Sequence, residues 1–448
     1  MSGISEALNA ASNNIGSLER SLTIIQANVD NASVPGYARQ DLVGAIGQSS
    51  DSAVVDQQSS RNEYAEASVR QQNSLLGHFN QLTSILGSVE PNFSASGTTG
   101  IPNAINNLFA GFSALATNPN DTIARQSVID EASQLAKNFN STAANLASIQ
   151  GNARQQISSQ VDTINHLASL VQVYNTTQQS NAAGASDPIV DAKLHDTLEQ
   201  LSGYAGVQAL KQNDGSITLL LGGQTPLVVG KTQYNLTADI TSAPTASILD
   251  SNGVDVTALV SGGSLSGSLE AVNQSIPSYQ NSLNQLAQGI ADSVNTALAG
   301  GVDANGNPGA PLFTYNSSAD AASSLAVTGI APAELAAASL NAPGGNGNAL
   351  ALSALGSSPV LNGFTFTTFY GNLSASVGRD VASATDSQTA QTQLLAQAQA
   401  QRTSLSGVSL DEEAVRLVEF QRAYEATAKM VTVLDQLSLD TINMIPAA

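Results

Sequence analysis

The chain has 448 residues, about three times the length of a typical domain, so we expect two or three modules rather than one compact core. Its 15 Lys and Arg residues stand against 35 Asp and Glu residues, and the formal net charge of −20 disfavours nucleic acid and anionic membrane surfaces as partners. The chain lacks cysteine, which excludes disulfides and thiol chemistry, and we expect neither a cleavable signal nor a transmembrane span.

An apolar residue recurs at alternating spacings of four and three from the start of the chain. This unbroken heptad seam predicts a helix that needs a coiled-coil partner, and Pro35-Gly36 predicts its end. The seam consists of Ile4, Leu8, Ala11, Ile15, Leu18, Leu22, Ile25 and Val29.

Three further helices are predicted after this seam. Apolar spacing places two of them over residues 75–89 and 101–115. The third is a single rod from about residue 120 to residue 178 without an internal proline, and Gly151 is its weakest point. At ~1.5 Å per residue, such a rod would be roughly 87 Å long.

The apolar period changes from helical to strand-like between about residues 206 and 263. Turn pairs such as Asp214-Gly215 and Asn252-Gly253 separate β-branched runs, which predicts a small β module inserted into a helical shaft. Helical spacing resumes at Leu283, and Pro277 predicts a break before it. Residues 300–360 are rich in Gly, Pro and Asn and are expected to be mostly loop, and another helix is predicted over about 369–402.

The last helix begins with the sequence Ser409-Leu410-Asp411-Glu412, which fits a capping box. Its apolar stripe comprises Leu410, Leu417, Phe420, Tyr424, Val431, Leu434, Leu437 and Ile445. The fold class expected is therefore mainly α, with a long antiparallel helical bundle or coiled-coil shaft built from both chain ends and a small inserted β domain. The domains expected are terminal helices at 1–34 and 405–448, a discontinuous shaft at 35–203 and 264–404, and the β domain at 206–263.

We find no residue pattern typical of a catalytic, metal or cofactor site. The three histidines, His78, His166 and His195, are scattered singly and are expected on helix surfaces. The segment starting at Asp303 imitates a calcium loop, but Pro308 replaces the required glycine and Thr314 the required glutamate, so a turn is expected. The sequence Gly230-Lys231-Thr232 is interpreted as a hairpin connection, and we expect no enzyme activity, no metal and no cofactor.

An apolar helical stripe usually belongs to its own protein's core. Here the stripes lie at both ends of a chain whose middle already contains enough helix to pack on itself. This location favours paired terminal helices at an assembly surface between copies.

Two terminal motifs resemble those of the flagellar axial proteins, and within them the hook-associated protein 1 family. Residues 28–40 have the sequence NVDNASVPGYARQ, similar to the axial signature N-I-A-N-x-x-T-P-G-Y-x-R-Q except at Asp30 and Val34. Residues 406–414 have the sequence SGVSLDEEA, and Gln421 to Tyr424 follow, similar to the S-G-V-x-L-D-E-E-A…Q-x-A-Y pattern of that family. Two internal stretches, residues 118–121 and 303–307, fit the same family.

The resemblance implies an extracellular structural protein at the hook–filament junction of the bacterial flagellum, exported unfolded by the flagellar type III system without a cleaved signal peptide. The implied partners are further copies in a ring-like assembly, the hook protein, a second junction protein on the flagellin side, and an export chaperone that binds the C-terminal helix. Pro35, Gly36, Tyr37 and Arg39 would join the N-terminal seam in the assembly interface, with Tyr37 packing back and Arg39 reaching a neighbour. The terminal helices would stay poorly ordered until they pack against neighbouring subunits.

Three alternatives remain open from the sequence. A hook or distal rod protein shares the N-terminal signature but usually lacks the L-D-E-E-A block. An axial protein with a grafted hydrolase domain is disfavoured because residues 206–263 contain no His and no Cys. An unrelated secreted adhesin would need surface aromatic residues in that module, where only Tyr234 occurs.

Overall fold

The computed structural model describes residues 2–43, 56–94, 100–180, 187–241 and 245–443. The described chain is mainly helical. The helices are α1 (Ser2–Asp30), α2 (Glu63–Val89), α3 (Ile101–Thr117), α4 (Thr122–Ser180), α5 (Pro188–Tyr204), α6 (Gly263–Glu270), α7 (Ile276–Ala299), α8 (Ala321–Ser324), α9 (Gly347–Leu355), α10 (Phe366–Ser406) and α11 (Leu410–Asn443). The strands are β1 (Gln40–Val43), β2 (Asp56–Ser59), β3 (Val207–Lys211), β4 (Ile217–Leu221), β5 (Thr225–Val229), β6 (Thr232–Gln233), β7 (Thr237–Asp239), β8 (Ser247–Leu249), β9 (Gly301–Val302), β10 (Phe313–Thr314), β11 (Ala326–Val327) and β12 (Ala338–Ser339).

The rod predicted near residues 120–178 is the 59-residue helix α4. Gly151 does not interrupt it, although the glycine is exposed and no residue from outside its own helix turn lies within 4 Å of where its Cβ would be. Helix α4 is anchored on both sides of this glycine by fully buried residues, among them Leu146 and Ile157. Helix α3 packs along its N-terminal part, and α5 and the β strands pack along its C-terminal part.

A second layer of the helical body is formed by α2, which packs against α10, α6 and α5. The prediction for α2 covered only its C-terminal half. Its first turns contain few large apolar residues, and the helix begins where the Asn62 side chain accepts a hydrogen bond from the Ala65 amide at 3.0 Å.

The predicted break at Pro277 is wrong. The chain continues as helix from Gly263 to Ala299 through one π-helical turn, Ala271–Ser275. A proline in a helix lacks the amide donor and crowds the preceding turn, and a widened turn before it relieves that crowding without ending the helix.

The strands between residues 207 and 249 form one antiparallel sheet, in the order β3-β4-β5-β6, and a separate hairpin, β7-β8; elsewhere β1 pairs with β2, β9 with β12 and β10 with β11. Alternate residues of β4 (Ile217, Leu219 and Leu221) are buried, and their side chains belong to the same apolar core as the helices. The buried Asn175 of α4 fastens the sheet, since its amide donates to the carbonyls of Ile217 and Gly230 at 2.8 Å each. Thus the strands are packed tightly onto the helical body.

The two terminal helices pack along each other and stand apart from this main core. Helix α1 runs antiparallel to α11, since Asn28 near the end of α1 contacts Glu413 near the start of α11, and Glu19 contacts Tyr424 further along. The buried residues of α1 do not belong to the core that joins the helices and strands of the body. We call α1 and α11 together the terminal pair.

Candidate functional site: the terminal pair and its motifs

The heptad seam of α1 faces α11 of the same chain. Ala11, Leu18 and Ile25 are 3%, 6% and 4% exposed, and Ile4, Leu8, Ile15 and Leu22 are half-buried. Val29, predicted as the last seam residue, is 42% exposed and lies outside the contact. Within the chain the seam is thus covered by α11, and its expected role as an assembly interface between copies stays a prediction.

The predicted stripe of α11 is divided between two faces. Leu417, Phe420, Tyr424, Val431 and Leu434 are half-buried, which is typical of a helix covered on one side by a single neighbour. Leu410 and Leu437 are largely exposed. Ile445 lies outside the described residues.

A second set of apolar side chains on α11 lies outside the contact with α1. At 100° per residue, its members lie roughly 95–155° around the helix from the mean direction of the residues that face α1. Each of them is at least 47% exposed. We call this set the outer stripe: Val415, Val418, Met430, Val433 and Leu437.

The Pro35-Gly36 turn connects α1 to the body by direct backbone contact. Gly36 has a φ of 73°, which favours glycine, and a Cβ added there would lie 2.3 Å from the carbonyl oxygen of Ala192 in α5. Pro35 is exposed. This position therefore requires glycine for two reasons, its backbone conformation and the closeness of α5.

The N-terminal and C-terminal motifs meet in one buried hydrogen-bonded cluster around Asn28. The Asn28 amide nitrogen donates to the carbonyl of Gln40 at 3.0 Å and to Glu413 at 3.3 Å. Its oxygen accepts from the Gln40 amide at 2.9 Å and from the Tyr37 hydroxyl at 3.0 Å. Burial, together with the charge of Glu413, raises the pKa of Tyr37 to about 12, so the hydroxyl remains a donor. The sequence shows each motif separately, and no spacing in it connects Glu413 to Asn28.

Arg39 was expected to reach a neighbouring subunit, but it is engaged within its own chain. Its guanidinium contacts Asp41 at 2.7 Å and Glu412 at 3.4 Å, and Arg416 contacts Asp41 at 2.8 Å. Burial raises the pKa of Asp41, but the hydrogen bonds from Arg39 and Arg416 outweigh it and lower the pKa below its usual value. Arg39 and Arg416 thus connect β1 to the start of α11.

The histidine expectations hold only for His166, which is exposed. His195 is 6% exposed, and His78 is half-buried with its Nε2 3.3 Å from Glu270. Periodicity could not show this, because a histidine among polar residues on a helix has no apolar signature that marks it as buried.

The residues singled out as possible ligand sites form ordinary turns. Asp303 accepts hydrogen bonds from the backbone amides of Asn305 and Asn307 at 2.8 Å each, so its carboxylate is occupied by hydrogen bonds of the turn itself. Over the described ranges, no cluster of three or more His, Asp or Glu residues could hold a metal ion. No helix in those ranges is both long and apolar enough to cross a membrane.

Comparison with known proteins identifies the family. A model described as the flagellar hook-associated protein FlgK helical domain matches residues 86–313, which is half of the chain. The chain belongs to the FlgK family of flagellar hook-associated proteins. A second model, described as the flagellar basal body rod FlgEFG protein C-terminal, matches residues 399–444. The resemblance stated from the terminal motifs is confirmed, and the family is a structural component of the flagellum rather than an enzyme family.

Individual relatives agree with this assignment. Flagellar hook-associated protein 1 of Salmonella typhimurium is 26% identical over 336 residues, which cover 70% of this chain and 60% of that protein. The protein of the same name from Bacillus subtilis is 22% identical, with 97% of both chains covered. The solved structure of the flagellar hook junction protein FlgK from Burkholderia pseudomallei has a TM-score of 0.67 at 17% identity, covering 76% of this chain and 100% of that one. That similarity shows the same fold. The mainly α fold class expected from the sequence is confirmed.

Proposed function

We propose that this chain is the junction protein between hook and filament, assembling on the hook tip as a ring of copies and allowing the flagellin filament to grow. The outer stripe of α11 carries this proposal. An apolar face on a helix that is already paired is more than its own fold needs, and such faces in soluble proteins mark interaction sites.

The free energy available from burying the outer stripe favours assembly over a state in which the stripe stays exposed to water. Burying the remaining exposed part of a Val, Met or Leu side chain that is about half exposed contributes about 1 kcal/mol, so the five side chains offer about 5 kcal/mol per copy. A ring of copies would gain this contribution at each contact. The ordering cost is small, because α1 and α11 are already paired in the single chain.

The partners proposed are other copies of the chain, the hook protein on one side and a second junction protein or flagellin on the other. Before assembly, the outer stripe would be open to non-specific association. An export chaperone that covers α11 would prevent this, consistent with passage through the type III apparatus to an extracellular location.

The sharpest test removes the outer stripe and leaves the fold intact. The double variant Met430→Ser and Val433→Ser alters two exposed side chains, so the purified protein should keep its helicity and thermal stability. In a strain that lacks the wild-type gene, this variant should leave intact hooks and release flagellin into the medium. The control is Gln421→Ser, an exposed polar position of the same helix, which should restore filaments.

The result separates the proposal from its main alternative. Normal filaments with the double variant would contradict the role of the outer stripe. A strain without the gene that lacks hooks altogether would instead show that the chain is a hook or distal rod protein.

A further inference from the structure

A network of buried and partly buried ion pairs lies where the terminal pair meets the body. Arg61 and Glu66, near the start of α2, have side chains that are 5% and 4% exposed, and they pair at 2.7 Å. Arg61 also pairs with Asp191 of α5 at 2.8 Å. The other Glu66 oxygen lies 3.4 Å from Arg402 of α10, which pairs with Glu199 of α5 at 2.5 Å. We call these five residues the joint network: Arg61, Glu66, Asp191, Glu199 and Arg402.

The joint network also holds the turn that ends the N-terminal motif. A second nitrogen of Arg61 donates to the carbonyl of Gly36 at 2.7 Å. Gly36 in turn packs against the backbone of α5 at Ala192. One guanidinium thus contacts the connection from α1, the start of α2 and the start of α5.

Both chain connections between the terminal pair and the body are fastened at the same place. The Arg39 amide donates to the carbonyl of Ser406 at 2.9 Å, and the Ser60 amide donates to the carbonyl of Arg39 at 2.8 Å. The Asn62 amide donates to the hydroxyl of Ser406 at 2.9 Å. The segments before α2 and after α10 are therefore tied to each other beside the joint network.

Ion pairs and apolar contacts differ in how precisely they fix the relative position of the segments that they join. An apolar contact tolerates sliding, whereas hydrogen-bonded guanidinium–carboxylate pairs are satisfied in one arrangement, and a shift leaves buried charges unpaired. Glu66 of α2 uses one oxygen for Arg61, which precedes α2, and the other for Arg402 of α10, so it fixes α10 relative to the start of α2. The contact with Gly36 extends this constraint to α1.

We propose that the joint network sets the angle at which the terminal pair leaves the body, with Arg61 and Glu66 as its positioning residues. The consequence is large because the pair is long. Helix α1 has 29 residues and is about 43 Å long, so a rotation of about 10° at the joint displaces its far end by about 7 Å. The network would therefore decide where the outer stripe points, and it would do so in the single chain, independently of the proposed assembly.

The absence of cysteine from the sequence allows a direct distance measurement. We would place one spin label at Asn9→Cys, exposed near the far end of α1, and a second at Val173→Cys, exposed on α4. Double electron–electron resonance on the full-length chain should give one narrow distance distribution. Glu66→Gln keeps the size of the side chain, but its amide nitrogen cannot accept from Arg402. Asn9 lies about 32 Å from the end of α1 at the joint, so a rotation of about 10° would shift or broaden the distribution by about 5 Å.

Two further variants keep the test decisive. The matched control is Glu270→Gln, which removes a carboxylate paired with His78 within the body and should leave the distribution unchanged. Should Glu66→Gln lose overall helicity by circular dichroism, Arg402→Gln replaces it, because that side chain is 22% exposed and its loss should not unfold the body. A distribution that stays as narrow and as centred as the wild type, in the folded variant tested, would overturn the proposal.

Discussion

Leu18→Ala should loosen the terminal pair without disturbing the body. Leu18 is 6% exposed and lies in the middle of the seam between α1 and α11. Truncating a buried leucine costs about 2–5 kcal/mol, and a two-helix contact can partly collapse around the gap, so we expect about 2–3 kcal/mol.

Native-state hydrogen exchange can measure this loss separately in each helix. Since about 1.4 kcal/mol corresponds to a factor of ten, amide protection in α1 and α11 should fall by roughly 30- to 150-fold. Protection in α4 should stay unchanged, because its residues belong to the separate main core. The matched control is Val433→Ala, an exposed residue of the outer stripe, which should change protection by less than about threefold. Equal loss of protection in α1 and α4, or none in α1, would refute the independence of the terminal pair.

Three other substitutions test the site. Gly36→Ala should cost about 3 kcal/mol in chemical denaturation because of its positive φ and the Ala192 contact, whereas Gly16→Ala in open space should stabilise by about 0.5 kcal/mol; equal effects would contradict the close packing. Asn28→Ala should cost about 2–4 kcal/mol in the same assay, since it leaves the Gln40 amide and Glu413 without their partner, and a loss below 1 kcal/mol would count against the buried cluster. Burial holds the pKa of His195 well below 6.5, and the positive charges of Arg61, Arg70, Lys211 and Arg402 lower it further despite the nearby Asp191. Below pH 6.5 the unfolded chain therefore binds more protons than the folded chain. The melting temperature should therefore fall as the pH drops below 6.5. His195→Gln should reduce this pH dependence, whereas His166→Gln should not. A pH dependence that neither variant changes would refute the role of His195.

The helical part of the fold could be predicted because long apolar periodicities are strong signals. Helix α4 begins and ends within two residues of the predicted rod. Helix α1 ends at Asp30, five residues before the predicted stop at Pro35. The start of α11 follows from its capping residues, where the Glu412 amide lies 3.4 Å from the Ser409 hydroxyl. These are local features, determined by residues close together in the chain.

The features that could not be predicted depend on contacts between distant segments. Periodicity identified the seam of α1 as needing a partner but could not tell whether α11 of the same chain or of another would supply it. The pairing of Asn28 with Glu413 joins residues 385 positions apart, and no spacing rule connects them. Arg61 and Glu66 look like ordinary surface charges at a helix start, and only the packing of α5 and α10 around them shows that they are buried.

The most direct test of the central claim is the accessibility of the outer stripe before and after assembly. A single cysteine in the otherwise cysteine-free chain, at Val433→Cys or at the control position Gln421→Cys, can be labelled with a maleimide in the purified protein and in isolated flagella. Both positions should react in the purified protein, and only position 433 should become protected once the chain is incorporated. Equal labelling of position 433 in both states would contradict the claim that this stripe is buried between subunits.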